Sequence, residues 1–309
     1  MRRQIHGILL LDKPSGMTSN GALQRIKRLF CAKKAGHTGS LDPIATGMLP
    51  LCFGEATKFS QFLLDSDKAY YVVAKLGIRT TTGDTEGEIV ETRPVLNVTR
   101  QAIEEAMSQF LGEIEQIPPM FSAIKVQGKP LYELARRGIE VERKPRCVKI
   151  FSLILDNFES GEIIFRVHCS KGTYIRTLVE DLGAVLGCGA HVTALRRAAV
   201  SPYGHSLMYT MPALESIAEN GGINALLSCL LPVETAVQSF PAVQLSTSAA
   251  FYLRMGQPVR ANFPLNSTMV RLISEDARFL GMGEVMPDGR VKPHRLLAVQ
   301  DIAMDSTGT

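Results

Sequence analysis

The hydrophobic periodicity of this chain of 309 residues changes near residues 231–240, and this change limits the folds open to it. Before that point, helical and strand-like patterns alternate through long connections. Strands are predicted at 5–11, 69–77, 121–126, 146–156, 161–169 and 191–200, and helices at 19–30, 99–111 and 174–186. After it, short β-like runs alternate with turns. The pattern predicts an α+β domain over residues 1–235, with a mixed, mostly antiparallel sheet flanked by helices and loops. It also predicts a small all-β barrel over 236–309.

Local signals place the ends of several elements. Ser19 or Asn20 can cap the first helix, and Gly187 is predicted to follow the helix at 174–186. Pro130 is predicted to open a short helix that Gly138 ends. The polar tail after Val299 is predicted to fray. No G-x-G-x-x-G or P-loop pattern follows the first strand, so neither a doubly wound sheet nor a nucleotide cofactor is indicated.

Composition restricts the compartment and the class of partner. The six cysteines form no C-x-x-C pair, which argues against a zinc site and a disulfide framework and for reduced thiols in the cytoplasm. No apolar stretch has the length of a membrane span, and the run at 7–11 is shorter than the core of a signal peptide. The net charge is only +4, but basic residues cluster. The clusters are Arg25, Lys27, Arg28, Lys33 and Lys34; Arg136 and Arg137; Arg143, Lys144, Arg146 and Lys149; and Arg196 and Arg197.

These clusters suit a long ligand that carries phosphates. A solvated helix face remains the simpler interpretation of any one cluster alone.

Residues 36–47 carry the strongest chemical signal. They place one carboxylate, Asp42, among three glycines, a proline, hydroxyls and a histidine. Glycine lets backbone approach a ligand closely, and Asp-Pro favours an extended or turn conformation at Asp42. Such a loop exposes a carboxylate beside positive charge, which suggests chemistry on a polyanion. On its own, however, an Asp before Pro is more often a turn residue than a catalyst.

Other residues could complete a site around Asp42. Tyr70 lies on a predicted strand and could stack on a base. Arg176 lies where a strand passes into a helix, and it could hold a carboxylate ionised. His37 shares the loop of Asp42 and could contact phosphate or stack within a nucleic acid. Each also has a structural interpretation, as a core aromatic, a surface ion pair or a loop hydrogen bond.

A family resemblance makes these hints specific. Gly36-His37-Thr38-Gly39-Ser40-Leu41-Asp42-Pro43 closely resembles the active-site motif of bacterial tRNA pseudouridine-55 synthases. Further segments resemble that family in the same order along nearly the whole chain. They are Leu11–Gly16, Asp67–Tyr70, Gly83-Asp84, Gln116–Pro119 with Ser122, Ala123 and Lys125, Lys171–Arg176, and Ala194–Arg197. The C-terminal part, including Gly281–Glu284, resembles the family's small PUA-type RNA-binding domain.

The resemblance implies a role for each matching residue. It implies that Asp42 is the nucleophile, that Arg176 pairs with it, and that His37 helps to displace the target nucleotide from the T loop. It also implies that Tyr70 packs against the target uracil, and that Tyr174 and Leu195 line the uracil pocket. Lys13 and Lys125 are weaker candidates for supporting the pocket or binding RNA.

The resemblance further implies isomerisation of uridine 55 in the T stem-loop of tRNA. It implies no metal, cofactor or protein partner. The cysteine pattern indicates the cytoplasm, and a monomer is expected because no apolar seam in the sequence requires a partner.

Three alternatives remain open from the sequence. The catalytic subunit of a guide-RNA-dependent complex shares the Asp42 motif, although the 99–150 segment and the lack of a Lys-rich tail favour the stand-alone type. A module that binds or folds RNA would need only the basic clusters and the β domain. A glycoside hydrolase normally needs a second carboxylate, and the sequence shows no obvious partner for Asp42.

Overall fold

A computed structural model describes residues 2–126, 128–204, 206–264 and 266–298. The tail after Val299 lies outside them, and so does its predicted fraying. The helices within the described residues are α1 Ser19–Leu29, α2 Ser60–Leu64, α3 Arg100–Ser108, α4 Leu131–Ala135, α5 Ile175–Val185, α6 Met211–Leu227 and α7 Thr247–Arg254. No helix among them has the length and apolar content that crossing a membrane requires.

The strands fall into two main sheets and two short hairpins. The strands up to residue 210 are β1 Gly7–Lys13, β2 Ala35–His37, β3 Thr46–Phe53, β4 Lys68–Leu76, β5 Ile78–Thr80, β6 Ile89–Thr92, β7 Gly112–Gln116, β8 Lys125–Val126, β9 Lys129–Pro130, β10 Arg146–Glu159, β11 Glu162–Cys169, β12 Ala190–Val200 and β13 Tyr209–Thr210. Those that follow are β14 Ala242–Leu245, β15 Val259–Arg260, β16 Met269–Ser274, β17 Phe279–Val285 and β18 Arg290–Leu296.

The larger sheet has the order β13-β1-β3-β12-β4-β11-β10-β7, and β2 pairs with β3. Only the β1–β13 and β3–β12 pairs are parallel among the described strands of this sheet. The predicted α+β domain with a mixed, mostly antiparallel sheet is confirmed. Alternate residues of these strands bury aliphatic side chains against α1, α3, α5 and α6, and together they form the main hydrophobic core. This core fixes the strand ends from which the candidate site is built.

The C-terminal sheet has the order β14-β16-β17-β18-β15 and curls into half a barrel, so the predicted small β domain is confirmed. It packs on the N-terminal domain through a shared cluster in which the Phe59 and Phe279 rings lie 5.5 Å apart. The helix α7 is an addition to the expected short strands. Ser246 caps it by accepting a hydrogen bond from the amide of Ala249. The division of the chain at residue 235 stays a prediction.

Two local predictions are wrong. The cap of α1 is Thr18, whose hydroxyl accepts from the amide of Gly21, whereas the predicted cap Ser19 is buried and bonds to Leu41. The strand predicted at 121–126 shrinks to Lys125–Val126, because the preceding backbone turns back on itself: the amide of Ser122 donates to the carbonyl of Met120. These bends bring the 121–123 segment to the wall of the pocket described next.

Candidate active site

A cavity of about 760 Å³ opens between the loop after β2, the start of α5 and the ends of β4 and β12. Its wall contains all six residues that the sequence predicted for the site. They are His37, Asp42, Tyr70, Tyr174, Arg176 and Leu195. Residues that lie far apart in the chain therefore meet in one pocket.

The loop that carries Asp42 is held mainly through its backbone. The carbonyl of Pro43 accepts from the amide of Gly16 at 2.9 Å and from the Lys13 ammonium at 3.3 Å. Gly47 has φ of +98°, and a Cβ placed there would lie 2.3 Å from the carbonyl oxygen of Arg197. Only glycine allows this close approach of β3 to β12. The loop thus places its carboxylate in the cavity with little freedom to move.

Arg176 binds the Asp42 carboxylate through two contacts. Its Nε lies 2.9 Å from Oδ2, and its Nη2 donates to Oδ1 at 3.1 Å. The same guanidinium donates to the carbonyls of Thr82 and Phe121, each at 2.8 Å. Arg176 is only 5% exposed, whereas Asp42 is 35% exposed. A rigid, buried cation therefore orients a carboxylate that remains open to the pocket.

Burial and the ion pair act in opposite directions on Asp42. Burial raises the pKa of the Asp42 carboxyl, the nearby Arg176 guanidinium lowers it, and the carboxylate of Asp84 raises it again, with a net rise above the ordinary value. Asp84 is 2% exposed and lies 3.6 Å from Nη1 of Arg176. Asp84 is thus a second carboxylate near Asp42, which the sequence analysis did not identify. It is held by hydrogen bonds from Thr82 and from the amide of Glu86.

Tyr70 and Arg197 face the pocket from paired positions on β4 and β12. Arg197 is 2% exposed, and it donates to the carbonyls of Met48 at 2.7 Å and Gly39 at 3.1 Å. Its guanidinium also acts electrostatically on the Tyr70 hydroxyl. Burial raises the pKa of Tyr70, and the charge of Arg197 opposes that rise. Tyr70 therefore faces the pocket as a neutral phenol.

The sequence grouped Arg196 and Arg197 as one phosphate-binding cluster, and the structure corrects this. Arg197 is buried in the pocket wall, and Arg196 forms a two-point ion pair with Asp12 at 2.8 and 2.9 Å. Strand alternation causes the split, because neighbouring residues of β12 point to opposite faces of the sheet.

Tyr174 and His37 complete the wall. Tyr174 precedes α5, and its backbone is held by the buried Gln116 side chain, which accepts from the Tyr174 amide at 3.0 Å and donates to its carbonyl at 3.2 Å. Burial raises the pKa of the Tyr174 hydroxyl and lowers the pKa of His37. Nδ1 of His37 is buried without a hydrogen-bond partner among the described residues. Both rings are thus uncharged at neutral pH, which suits contact with a nucleobase.

The two weaker candidates, Lys13 and Lys125, lie at different places relative to the cavity. Lys13 is fully buried and donates to the carbonyls of Pro14, Met17 and Pro43, and desolvation lowers its pKa to about 8. Lys13 thus stabilises the backbone of the loop that carries Asp42. Lys125 lies exposed on the β8–β9 hairpin, outside the cavity wall.

Family models cover nearly the whole chain. The N-terminal domain of TruB family pseudouridylate synthases matches residues 27–175. The C-terminal domain of tRNA pseudouridylate synthase B matches 176–238, and the C-terminal domain of pseudouridine synthase II TruB matches 241–297. The chain belongs to the TruB family of pseudouridylate synthases. This synthase is therefore an isomerase that converts uridine to pseudouridine.

Relatives at the level of sequence and of structure agree with the family. The chain is 54% identical to tRNA pseudouridine synthase B of Coxiella burnetii (strain Dugway 5J108-111), over 96% of each chain. It is 55% identical to tRNA pseudouridine synthase B of Ectopseudomonas mendocina (strain ymp), over 96% of this chain and 97% of that protein. Among solved structures, a Cbf5-Nop10-Gar1 complex matches with a TM-score of 0.75 and 26% identity, over 96% of this chain and 86% of that one.

Sequence reasoning missed three residues that hold the synthase's pocket together: Asp84, Gln116 and Arg197. All three stand inside motifs quoted for the resemblance, but the spacing of Asp84 and Gln116 alone gives no partner. Arg197 could have been found, because Leu195 is predicted to line the pocket on an extended segment, and Arg197 shares its face.

Proposed function

We propose that this synthase isomerises uridine 55 in the T loop of tRNA, with Asp42 as nucleophile acting on a flipped-out uridine. The observation that carries the proposal is the Asp42 carboxylate, one-third exposed to the cavity and gripped at both oxygens by Arg176. The names of the relatives, tRNA pseudouridine synthase B at 51–55% identity, support tRNA as the substrate.

The reaction needs a group that labilises the bond between N1 of uracil and C1′ of the ribose. That bond breaks, uracil turns, and C5 bonds to C1′; the C5 proton leaves and N1 gains one, so no atom is gained overall. A carboxylate can attack C1′, assist loss of uracil, or attack C6 of the ring. Each route requires Asp42 to be ionised, and the guanidinium of Arg176 favours that form.

The cavity has walls suited to a single unstacked base. A base inside a stack cannot reach Asp42, so the nucleotide must be extruded at a cost of a few kcal/mol. The rings of Tyr70 and Tyr174 and the side chain of Leu195 offer apolar contact that offsets this cost. We assign Tyr70 to packing against the uracil, Tyr174 and Leu195 to the pocket wall, and His37 to displacing the nucleotide from the T loop.

The synthase is further proposed to work as a monomer in the cytoplasm, where its tRNA substrate resides, without a metal, cofactor or protein partner. The isomerisation has no net oxidation or reduction. Asp42 is the proposed nucleophile, Arg176 is the permanent cation beside it, and the Tyr70 hydroxyl is a candidate to assist proton removal.

Asp42→Asn tests the catalytic assignment. We expect it to abolish tritium release from an unmodified tRNA transcript labelled at C5 of uridine, while transcript binding changes less than about threefold. Asp288→Asn, which alters an exposed carboxylate on the C-terminal domain, is the matched control and should retain activity. Retained turnover by the Asp42→Asn protein would refute the assignment of Asp42 as the nucleophile. A transcript with cytidine at position 55 should release no tritium, and release from it would refute the site of modification.

The Cbf5-Nop10-Gar1 likeness favours a second candidate, a catalytic subunit that depends on partners and a guide RNA. Purified protein and bare transcript distinguish the two functions. Turnover without any added protein or RNA supports the stand-alone enzyme, and turnover that requires added partners supports the other.

A further inference from the structure

A group of six cationic side chains lies where the N-terminal segment meets the end of α1. The amide of Arg3 donates to the carbonyl of Cys31 at 2.7 Å, and the amide of Lys33 donates back to Arg3 at 2.8 Å. This pairing brings the start of the chain beside the segment that follows α1. We call the resulting surface the basic patch; it consists of Arg2, Arg3, Lys27, Arg28, Lys33 and Lys34.

The basic patch has no internal counter-charge among the described residues. Five of its six side chains are exposed, and none makes an ion pair or side-chain hydrogen bond with a described residue. Several other surface cations of the protein are paired, as Arg25 is with Glu215 and Arg166 with Asp156. Like charges left unpaired at one place repel each other, and an anionic ligand relieves that repulsion.

Two elements connect the basic patch to the pocket. Helix α1 begins at the pocket, where Thr18 and Ser19 form part of the wall, and ends at the patch with Lys27 and Arg28. Its 11 residues span roughly 16 Å at about 1.5 Å per residue. Strand β2 leads directly from Lys34 to His37. A polyanion that extends from the pocket can therefore reach the patch.

We propose that the basic patch binds backbone phosphates of the tRNA stem that carries the target loop, and so holds the RNA while the uridine enters the pocket. This inference rests on the proposed function. The chemistry of the patch selects phosphate: it offers Lys and Arg, and the aromatic side chain beside it, Phe30, is fully buried. A surface of this kind also lacks the apolar centre of a protein interface.

The double variant Lys33→Gln, Lys34→Gln tests the proposal through salt dependence. Loss of two phosphate contacts should reduce the slope of log K against log salt concentration by about 2. The ratio of the wild-type affinity to the variant's affinity should therefore fall by about tenfold between 50 and 200 mM salt. At saturating transcript the rate of tritium release should stay within about twofold of wild type, because neither lysine touches the pocket.

The control variant is Arg79→Gln, Arg93→Gln, which removes the same charge from exposed residues that pair with Glu91. It should leave the slope unchanged. An unaltered slope and affinity for the Lys33, Lys34 variant would overturn the proposal, and so would an equal change in the control. Failure of the proposed function looks different: a wild-type protein that binds the transcript with the expected slope but releases no tritium.

Discussion

Arg176→Ala isolates the contribution of the cation between two carboxylates. The substitution removes the partner of Asp42, the nearest cation to Asp84, and the donor to the carbonyls of Thr82 and Phe121. Breaking a buried ion pair by removing one partner costs about 3–5 kcal/mol, because the remaining charge stays desolvated. Asp84, at 2% exposed, carries most of that cost, whereas Asp42 is 35% exposed and keeps contact with water.

The pH dependence of the loss identifies its cause. Without Arg176, the desolvation that already raises the pKa of Asp42 is no longer opposed, so its pKa rises further. A carboxyl with a raised pKa in the folded state binds more protons there than in the unfolded state. Its effect on the free energy of unfolding therefore becomes more favourable as pH falls. The deficit of Arg176→Ala should be smaller at pH 5 than at pH 7.

Urea denaturation of both proteins at the two pH values measures that deficit, and tritium release measures activity. We expect Arg176→Ala to lower the rate at saturating transcript by at least 100-fold. Arg176→Lys keeps the charge but not the two-point contact. Its rate of tritium release should therefore lie between those of the wild type and Arg176→Ala. A deficit that stays constant with pH, or a variant as stable as the wild type, would refute the role of Arg176 in compensating the carboxylates of Asp42 and Asp84.

Two further predictions concern the loop and its carboxylate. Gly47→Ala should cost about 1–3 kcal/mol of stability in urea denaturation and should reduce turnover. The reason is that φ is +98° and the new Cβ would lie 2.3 Å from the carbonyl oxygen of Arg197. Full activity would show that the close approach of the two strands is not needed. The acid limb of kcat/KM should lie above the ordinary aspartate pKa of 3.8, since burial raises the pKa of Asp42 and the proposed mechanism needs its ionised form. A pH–rate profile checks this, and a limb below 3.8 would contradict it.

Strands β4, β11 and β12 could be predicted from the sequence because they are long, and in β11 the burial alternates regularly. Strand β3 was not predicted, and it shows no alternation because all but its first residue are buried. Helix α6 could not, since Gly221 and Gly222 interrupt its pattern and Gly222 is not helical. Helix α7 has only eight residues and exposes Phe251 and Tyr252, so its apolar side chains do not mark one buried face. Tertiary packing stabilises both helices, and local periodicity in the sequence does not reveal that packing.

The candidate site likewise contains residues that local sequence signals identify and residues that only the fold brings together. Asp42 could be identified because a glycine-rich loop and an Asp-Pro pair are local signals. Its pairing with Arg176, 134 positions away, rested on chemical type and on the resemblance, and only the fold brings the two together. Asp84 carries no local sign of its role, because a carboxylate in a polar loop looks like any other until the guanidinium lies 3.6 Å from it.

The electrostatics of the pocket explain how one carboxylate could suffice for the proposed chemistry. A fully solvated aspartate is ionised but is stabilised by water that must be lost before it attacks, and a fully buried one becomes protonated. Asp42 lies between these extremes: burial strips part of its water, while Arg176 keeps the charge and fixes both oxygens. Asp84 sits behind Arg176, and its charge limits how strongly that guanidinium stabilises the ground state of Asp42. Arg176 thus favours the ionised form of Asp42 and orients it, while Asp84 limits the strength of that ion pair.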